Sequence, residues 1–288
     1  MIKTMTLAAA CAAAMLTSSF ANERIITTSA YITQVVEALG KAPELVGADT
    51  TSRYNDDLKA LPDVGYRIAL STEGMLSLKP TWVLWSSDSG PQTTIDQVNG
   101  SGVKHLTVKK PVNMAELKTM VSQIGEALDA ASQSELINAE LEEKHQTLQK
   151  AIAARGGKKA LFIMNEMGQG KNGSSQNFAG NDTSANALIE LLGMDNPFAK
   201  QFSAYKAVNV ETQIQQGADI VFIGKRYDGN TEVPPIVRLD SAALGWPAPV
   251  APKCVYEVDI SHMLVYGIHL YDDALALNGL VNECLGEE

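Results

Sequence analysis

The chain has 288 residues, of which 45% are hydrophobic, 19% charged and 6% aromatic. This composition excludes a disordered or collagen-like protein and provides enough apolar side chains for one large or two medium-sized domains. The formal net charge of −10 argues against an extended nucleic-acid-binding surface, because such a surface neutralises phosphates with an excess of lysine and arginine.

The first 21 residues have the three parts of a secretory signal peptide. Lys3 supplies the positive charge, an uncharged apolar stretch follows over 5–16, and residues 19–21 (SFA) form a cleavage site of the small-x-small type. The apolar stretch is shorter than the ~20 residues that span a bilayer. Cys11 raises the alternative of a lipid anchor, but the apolar run continues beyond it. We therefore expect export, cleavage after Ala21, and a mature chain with a net charge of −11.

Export determines how the cysteines of the mature chain are interpreted. Cys254 and Cys284 are two thiols in an oxidising compartment, which makes one disulfide plausible. It would join the last helix to the preceding strand region. Two cysteines cannot form a four-ligand zinc site, and the sequence has no CxxC motif.

Strand and helix signals alternate through the first half of the chain. Strand signals lie at 24–28, 45–47, 82–85 and 105–108, and helix signals lie at 32–39, 72–78 and 93–99. This alternation predicts an α/β lobe with a mostly parallel sheet.

The segment 114–155 contains no proline and a single glycine, and it predicts two helices. Apolar residues at 117, 120, 121, 124 and 128 mark one helical face, and those at 137, 141, 148 and 152 mark a second. Twenty helical residues span ~30 Å, so the second helix is long enough to bridge two lobes. A coiled-coil arm is the alternative, but the repeat is too brief for one.

The second half of the chain repeats the pattern of the first. Glu73 and Glu211 are each followed by a short helix and by an apolar strand that begins nine residues later. The sequence TQVVEALG at 33–40 likewise resembles ANALIELLG at 185–193. We predict an α/β fold of two Rossmann-like lobes joined by a long α-helix, with the ligand cleft between the lobes. The predicted boundaries are 22–130 for the first lobe, 131–157 for the bridging helix and 158–288 for the second lobe.

The motif inventory makes an enzyme the weak hypothesis. The sequence has no GxSxG, no GxGxxG after the first strand, no Walker A loop and no HExxH. The four histidines, at 105, 145, 262 and 269, lie far apart. A ligand role for His262 or His269, which flank a turn, stays open.

Four motifs are typical of one family of transport proteins. They are LPDVGY at 61–66, STEGMLSLKP at 71–80, AGNDTSANALIELLG at 179–193 and, more weakly, AYKAVNVE at 204–211. The mature chain resembles the periplasmic haemin-binding proteins of bacterial haem-uptake ABC transporters, whose two lobes are joined by a long helix. The resemblance implies a monomeric, non-enzymatic carrier that captures haem in the periplasm and delivers it to an inner-membrane permease and its ATPase. Siderophore and cobalamin carriers of the same class are the alternative.

The resemblance implies that Tyr66 is the axial ligand of the haem iron. Ferric iron favours a hard anionic phenolate, and a nearby cation is needed because free tyrosine has a pKa of ~10. Arg67 is the candidate cation, although the family places its basic residue two positions after the tyrosine, where this chain has Ile68. Tyr54 is a second candidate for the ligand.

The resemblance also implies a set of pocket residues. Some relatives add a histidine from the second lobe, but the corresponding segment 162–180 has none, and Met167 is the nearest alternative. We therefore expect five-coordinate iron. The candidates for contacts to the haem propionates are basic residues in loops: Arg53, Arg67, Lys171 and Lys206. Asp182 or Thr183 is expected to cap the helix that follows.

Glu73 and Glu211 are similar to the exposed glutamates with which carriers of this class meet arginines of their permease. Their equivalent places in the internal repeat support that role. Stabilisation of a helix N-terminus by a carboxylate explains their position equally well. A periplasmic enzyme or a metal chaperone built on two lobes is the alternative from another class, but clustered histidine or cysteine ligands are missing.

Overall fold

A computed structural model of the protein describes residues 23–153, 155–164, 175–226 and 236–286. The predicted signal peptide lies outside these residues. The described chain forms two α/β lobes, which confirms the predicted fold class. None of the described helices is long and apolar enough to cross a membrane.

The first lobe is built on a parallel sheet, as the alternating pattern predicts. Its strands are β1 (Ile25–Thr27), β2 (Leu45–Ala48), β3 (Trp82–Ser86) and β4 (Lys104–Val108), in the order β2-β1-β3-β4. The helices are α1 (Ala30–Ala38), α2 (Asp56–Ala60), α3 (Thr72–Ser77) and α4 (Gln92–Gly100). Val83, Leu84 and Trp85 are fully buried, since helices and loops cover both faces of the sheet.

The second lobe contains a mixed sheet in which only the inner strands are parallel. Its strands are β5 (Ala160–Met164), β6 (Ser175–Ala179), β7 (Tyr205–Asn209), β8 (Ile220–Lys225), β9 (Ile236–Leu239) and β10 (Cys254–Asp259). The order is β7-β6-β5-β8-β10-β9, with β6, β7 and β9 antiparallel to their neighbours. The helices are α7 (Ser184–Leu191), α8 (Val210–Gln215), α9 (Ile260–Met263) and α10 (Leu270–Leu285).

Two helices connect the lobes: α5 (Met114–Ala127) and the 22-residue α6 (Ala131–Ile152). They approach closely at Gly125, where an added Cβ would lie 2.5 Å from Cβ of Ser134. α6 also packs against α10 of the second lobe, and Lys144 forms an ion pair with Asp272 at 2.8 Å. The helix ends at Ile152 and not at the predicted residue 157, because Gly156 and Gly157 follow and Gly157 has a φ of 85°.

The lobes also meet at a second junction, which the sequence did not predict. Gly267, in the loop between α9 and α10, lies so close to α1 that an added Cβ would be 1.9 Å from Oε1 of Gln34. Gln34 is buried in this contact. The lobes are therefore in contact at the α6 connection and at this loop.

The internal repeat is present in three dimensions. β3 begins at Trp82 and β8 at Ile220, each nine residues after Glu73 or Glu211. The preceding helices α3 and α8 have six residues each, and the glutamate is the second residue of each helix. Both helices have a side-chain N-cap, from a serine and an asparagine respectively.

Cys254 and Cys284 form a disulfide in the structure, with Cα atoms 6.1 Å apart. The bond joins the first residue of β10 to the last turn of α10, and the two cysteines are separated by 30 positions in the sequence. It holds the C-terminal helix against the sheet of the second lobe.

We expect reduction of this disulfide to lower the free energy of unfolding by about 3–4 kcal/mol, because the cross-link restricts the unfolded chain over a loop of this length. Urea unfolding with and without a thiol reductant measures the difference. A Cys254→Ala, Cys284→Ala double variant is the control and should not respond to the reductant. Identical unfolding curves for the oxidised and reduced protein would contradict the expectation.

Candidate functional site

Tyr66 lies in the loop between α2 and α3, which is anchored on one side to β2 and on the other to the loop that follows β3. Val64 N donates to Ala48 O at 3.1 Å, and Leu70 N donates to Gly90 O at 3.0 Å. Gly65 has a φ of 103°, a conformation that favours glycine, and directs the chain into the turn before Tyr66. The tyrosine side chain is nevertheless 42% exposed, which is unusual for a large aromatic residue in a well-anchored loop.

Arg67 covers the phenol of its neighbour. Its Nη1 donates to the hydroxyl oxygen of Tyr66 at 2.6 Å, and its Cζ lies 4.9 Å from the centre of the tyrosine ring. Its Nε donates to Oδ2 of Asp88 at 2.7 Å. The guanidinium is therefore held between a carboxylate and a phenol oxygen.

Asp88 is itself held by hydroxyl groups from the core of the first lobe. Ser86 donates to Oδ1 of Asp88, and the hydroxyl of the buried Tyr31 donates to Ser86. Burial raises the pKa of Tyr31 to about 12, so this phenol stays a protonated donor. Partial burial opposes the charge of Asp88, but the hydrogen bonds from Ser86 and Arg67 outweigh it and hold the pKa of the carboxyl below its usual range. Asp88 likewise raises the pKa of Arg67, against the effect of burial.

Lys110 is a cation at this site that sequence reasoning missed. It follows β4, and its Nζ donates to Oγ of Ser184 in the second lobe at 3.4 Å. Partial burial lowers the pKa of Lys110, Asp88 opposes that shift, and Arg67 adds to it. These contacts place Lys110 between the lobes and near the Arg67–Asp88 pair that holds Tyr66. The signal that would have found Lys110 is its position just beyond a parallel strand, where ligand sites of α/β sheets form.

The other predicted basic and aromatic residues already have partners within their own lobe. The hydroxyl of Tyr54 donates to Glu37, and burial raises the pKa of this phenol above its usual value. Arg53 donates to the carbonyls of Lys59 and Leu61 at 2.8 and 3.2 Å. Their assignment to haem binding stays a prediction.

The remaining predicted residues are spread over the second lobe. Lys206 is exposed on β7, with its Nζ 5.5 Å from the ring centre of Phe202. Thr183 caps α7 by accepting from Asn186 N at 3.1 Å, while Asp182 accepts from Ala204 N. Met167 and Lys171 lie outside the described residues.

Glu73 and Glu211 are both exposed at the start of their helices. Neither forms a salt bridge with any of the residues that the structure describes. This geometry is compatible both with stabilisation of their own helix N-terminus and with a contact to another protein.

The described part of the chain contains no cluster of three or more histidine, cysteine or acidic residues that could hold a bare metal ion. His145 packs edge-on against Tyr271, with ring centres 5.5 Å apart, and lines an open groove of about 730 Å³ between α5 and α6. None of the predicted ligand residues lines this groove.

Two α/β lobes that are bridged by a helix, with an exposed phenol and two cations at their cleft, define a bilobal ligand-binding protein. A family model described as "Periplasmic binding protein" matches residues 25–248. The chain therefore belongs to the periplasmic binding protein family.

Similar proteins within this fold are known. The structure of the periplasmic heme-binding protein BhuT in complex with two hemes superposes with a TM-score of 0.75 at 29% identity, over 91% of this chain and 99% of BhuT. The periplasmic heme-binding protein HutB of Vibrio cholerae gives 0.73 at 26% identity, over 90% and 99%. The vitamin B12-binding protein of Yersinia pestis (strain Pestoides F) is 29% identical over 113 residues, which are 39% of this chain and 38% of that protein. Matches to the curated relatives span about two fifths of their length.

We expect Asp88→Asn to remove a pH-dependent part of the stability. Because the folded protein holds the pKa of Asp88 below its unfolded value, its carboxylate stabilises the fold above about pH 4 and loses this effect as the pH falls through the folded pKa. The difference in unfolding free energy between wild type and variant should therefore be largest near neutrality and shrink on acidification. Urea unfolding over a pH series measures it, with Asp96→Asn on exposed α4 as the control. A difference that stays constant with pH would contradict the role of the charge.

Proposed function

We propose that this protein captures haem in the periplasm, in the cleft between its lobes, and delivers it to an inner-membrane ABC importer. The observation that carries the proposal is the pair formed by Tyr66 and Arg67, in which the phenol oxygen of a partly exposed tyrosine accepts from a guanidinium at 2.6 Å. A carrier of this kind binds and releases its ligand without changing it.

The chemistry of this pair suits a ferric porphyrin. Fe(III) in haem accepts a phenolate as axial ligand, and loss of the phenol proton is favoured when a fixed positive charge lies beside the oxygen. Arg67 supplies that charge, and its ion pair with Asp88 at 2.7 Å keeps it beside Tyr66.

The surroundings of the pair also suit a flat apolar ligand. Ile68 is 57% exposed directly after Arg67, and Val112 is 58% exposed shortly after Lys110. Exposed aliphatic side chains beside a cleft provide the apolar contacts that ligand pockets use. Similar carriers have a basic residue two positions after the tyrosine, and in this chain Ile68 offers an apolar contact at that position instead.

The similarity to BhuT and HutB, which covers nearly the whole of both proteins, supports haem as the ligand. The similarity to a vitamin B12-binding protein keeps cobalamin as the second candidate. The Tyr66–Arg67 pair favours haem, because a carrier for cobalamin or for a siderophore needs aromatic or basic contacts but no phenolate on iron. We further propose that the carrier is a monomer.

We propose that Glu73 and Glu211 dock the loaded carrier on the permease. They occupy the same position in the two halves of the internal repeat, are exposed, and lack a salt bridge among the described residues. Exposed charges of this kind steer and orient docking by complementary electrostatics.

We expect Tyr66→Phe to lose the tyrosinate-to-iron charge-transfer band and to weaken haemin binding by about 10-fold or more, because the variant keeps the ring but lacks the ligand oxygen. An absorbance titration of the mature chain with haemin measures both. Tyr54→Phe is the matched control, and its spectrum should equal that of wild type.

The outcomes of this titration separate the alternatives. If the band disappears in Tyr54→Phe and survives in Tyr66→Phe, the axial ligand is Tyr54 and the haem carrier remains. If the wild-type protein shows no saturable Soret change, the haem proposal is wrong and cobalamin and ferric siderophores become the ligands to titrate.

For the docking role, we expect Glu73→Ala with Glu211→Ala to abolish most haem-dependent growth in a strain that imports haem through its cognate permease, while haemin binding in solution stays unchanged. The physical reason is loss of the charges that contact the permease, at a distance from the ligand. Glu135→Ala, on the exposed surface of α6, is the control and should support normal growth. Normal growth of the double variant would rule out the docking role.

A further inference from the structure

The basic residues considered for the ligand site differ in how far the protein already engages their donors. Arg67 forms an ion pair with Asp88 at 2.7 Å, and Arg53 donates to backbone carbonyls of its own loop. Lys110, by contrast, forms no salt bridge with any residue in the described ranges. The one hydrogen bond of its ammonium in these ranges, to Ser184, is with a neutral hydroxyl at 3.4 Å.

The position of Lys110 is fixed by the fold and lies between the lobes. The lysine follows β4 of the first lobe, and its backbone N donates to Oγ of Ser87 at 3.4 Å. Its ammonium reaches Ser184, the first residue of α7 in the second lobe. A group bound to this ammonium would therefore touch both lobes at once.

The electrostatics at this point favour an anion. The two charges that act on Lys110 are those of Asp88 and Arg67, and they are joined in an ion pair with each other. Among the residues that the structure describes, the lysine consequently adds a positive charge with no countercharge of its own in a partly buried place, where such a charge is unfavourable. The lowered pKa of Lys110, caused mainly by burial, has the same physical origin.

We propose that Lys110, together with the hydroxyl of Ser184, binds a carboxylate of the ligand between the lobes. The inference rests on the proposed function, in which the carboxylate is a haem propionate. An ammonium has three donors, of which Ser184 takes one, so two remain for the carboxylate. Arg67 then stabilises the phenolate of Tyr66, and Lys110 binds the propionate. Each of the two cations therefore pairs with one of the two anionic groups of the complex.

The test compares haemin with haemin dimethyl ester, in which both carboxylates are neutral. We expect Lys110→Gln to weaken haemin binding by about 10-fold or more, the effect of losing a charge-assisted hydrogen bond, and to leave binding of the ester unchanged. Lys110→Arg keeps the charge and should restore most of the haemin affinity. Lys109→Gln is the matched control, because the neighbouring Lys109 is exposed and paired with Glu116 at 2.6 Å, and it should bind both ligands like wild type.

Each result of this comparison has one interpretation. If Lys110→Gln binds haemin as tightly as wild type, or loses the same factor for haemin and for the ester, the carboxylate contact is wrong while the haem carrier stands. If wild type binds neither porphyrin, the proposed function itself fails, and the inference fails with it.

Discussion

The hydrogen-bonded ion pair between Arg67 and Asp88 is the interaction on which the rest of the candidate site depends. A guanidinium on a surface loop has many rotamers, and it acts on a neighbouring phenol only if something holds it there. Asp88 does so, and it is oriented in turn by Ser86 and by the buried hydroxyl of Tyr31. The buried core thereby fixes the position of the Arg67 guanidinium beside the hydroxyl oxygen of Tyr66. This positive charge is in place before any ligand binds.

The same groups show why the cleft forms where it does. Ser86 and Asp88 lie at the carboxyl end of β3, and Lys110 follows the carboxyl end of the adjacent parallel strand β4. Loops that leave neighbouring parallel strands meet at one edge of a sheet, which is where α/β folds bind ligands. The second lobe adds α7, whose first residue, Ser184, reaches back to Lys110. The two lobes thus contribute to one site although each has its own sheet and core.

The pattern of apolar residues was sufficient for the strands and helices that are buried in a regular way. β3 and β8 start at equivalent places in the repeat, nine residues after Glu73 and Glu211 as predicted. The strands β6, β7 and β9 were missed. They mix polar with apolar residues, and β7 and β9 lie at the two edges of the sheet, so their identity as strands depends on hydrogen bonds that local periodicity does not reveal.

The sequence by itself determined the α/β class, the duplicated lobes and the placement of Glu73 and Glu211 near helix N-termini, because these follow from periodicity and capping over a few neighbouring residues. Only the tertiary structure decided which side chains of the site are already engaged. Tyr54 and Arg53 are further candidates in the sequence beside Tyr66 and Arg67, and the structure shows that they are held by partners in their own lobe. Asp88 lies 21 positions from Arg67 and Ser184 lies 74 from Lys110, and such contacts exist only after the sheets bring distant segments together.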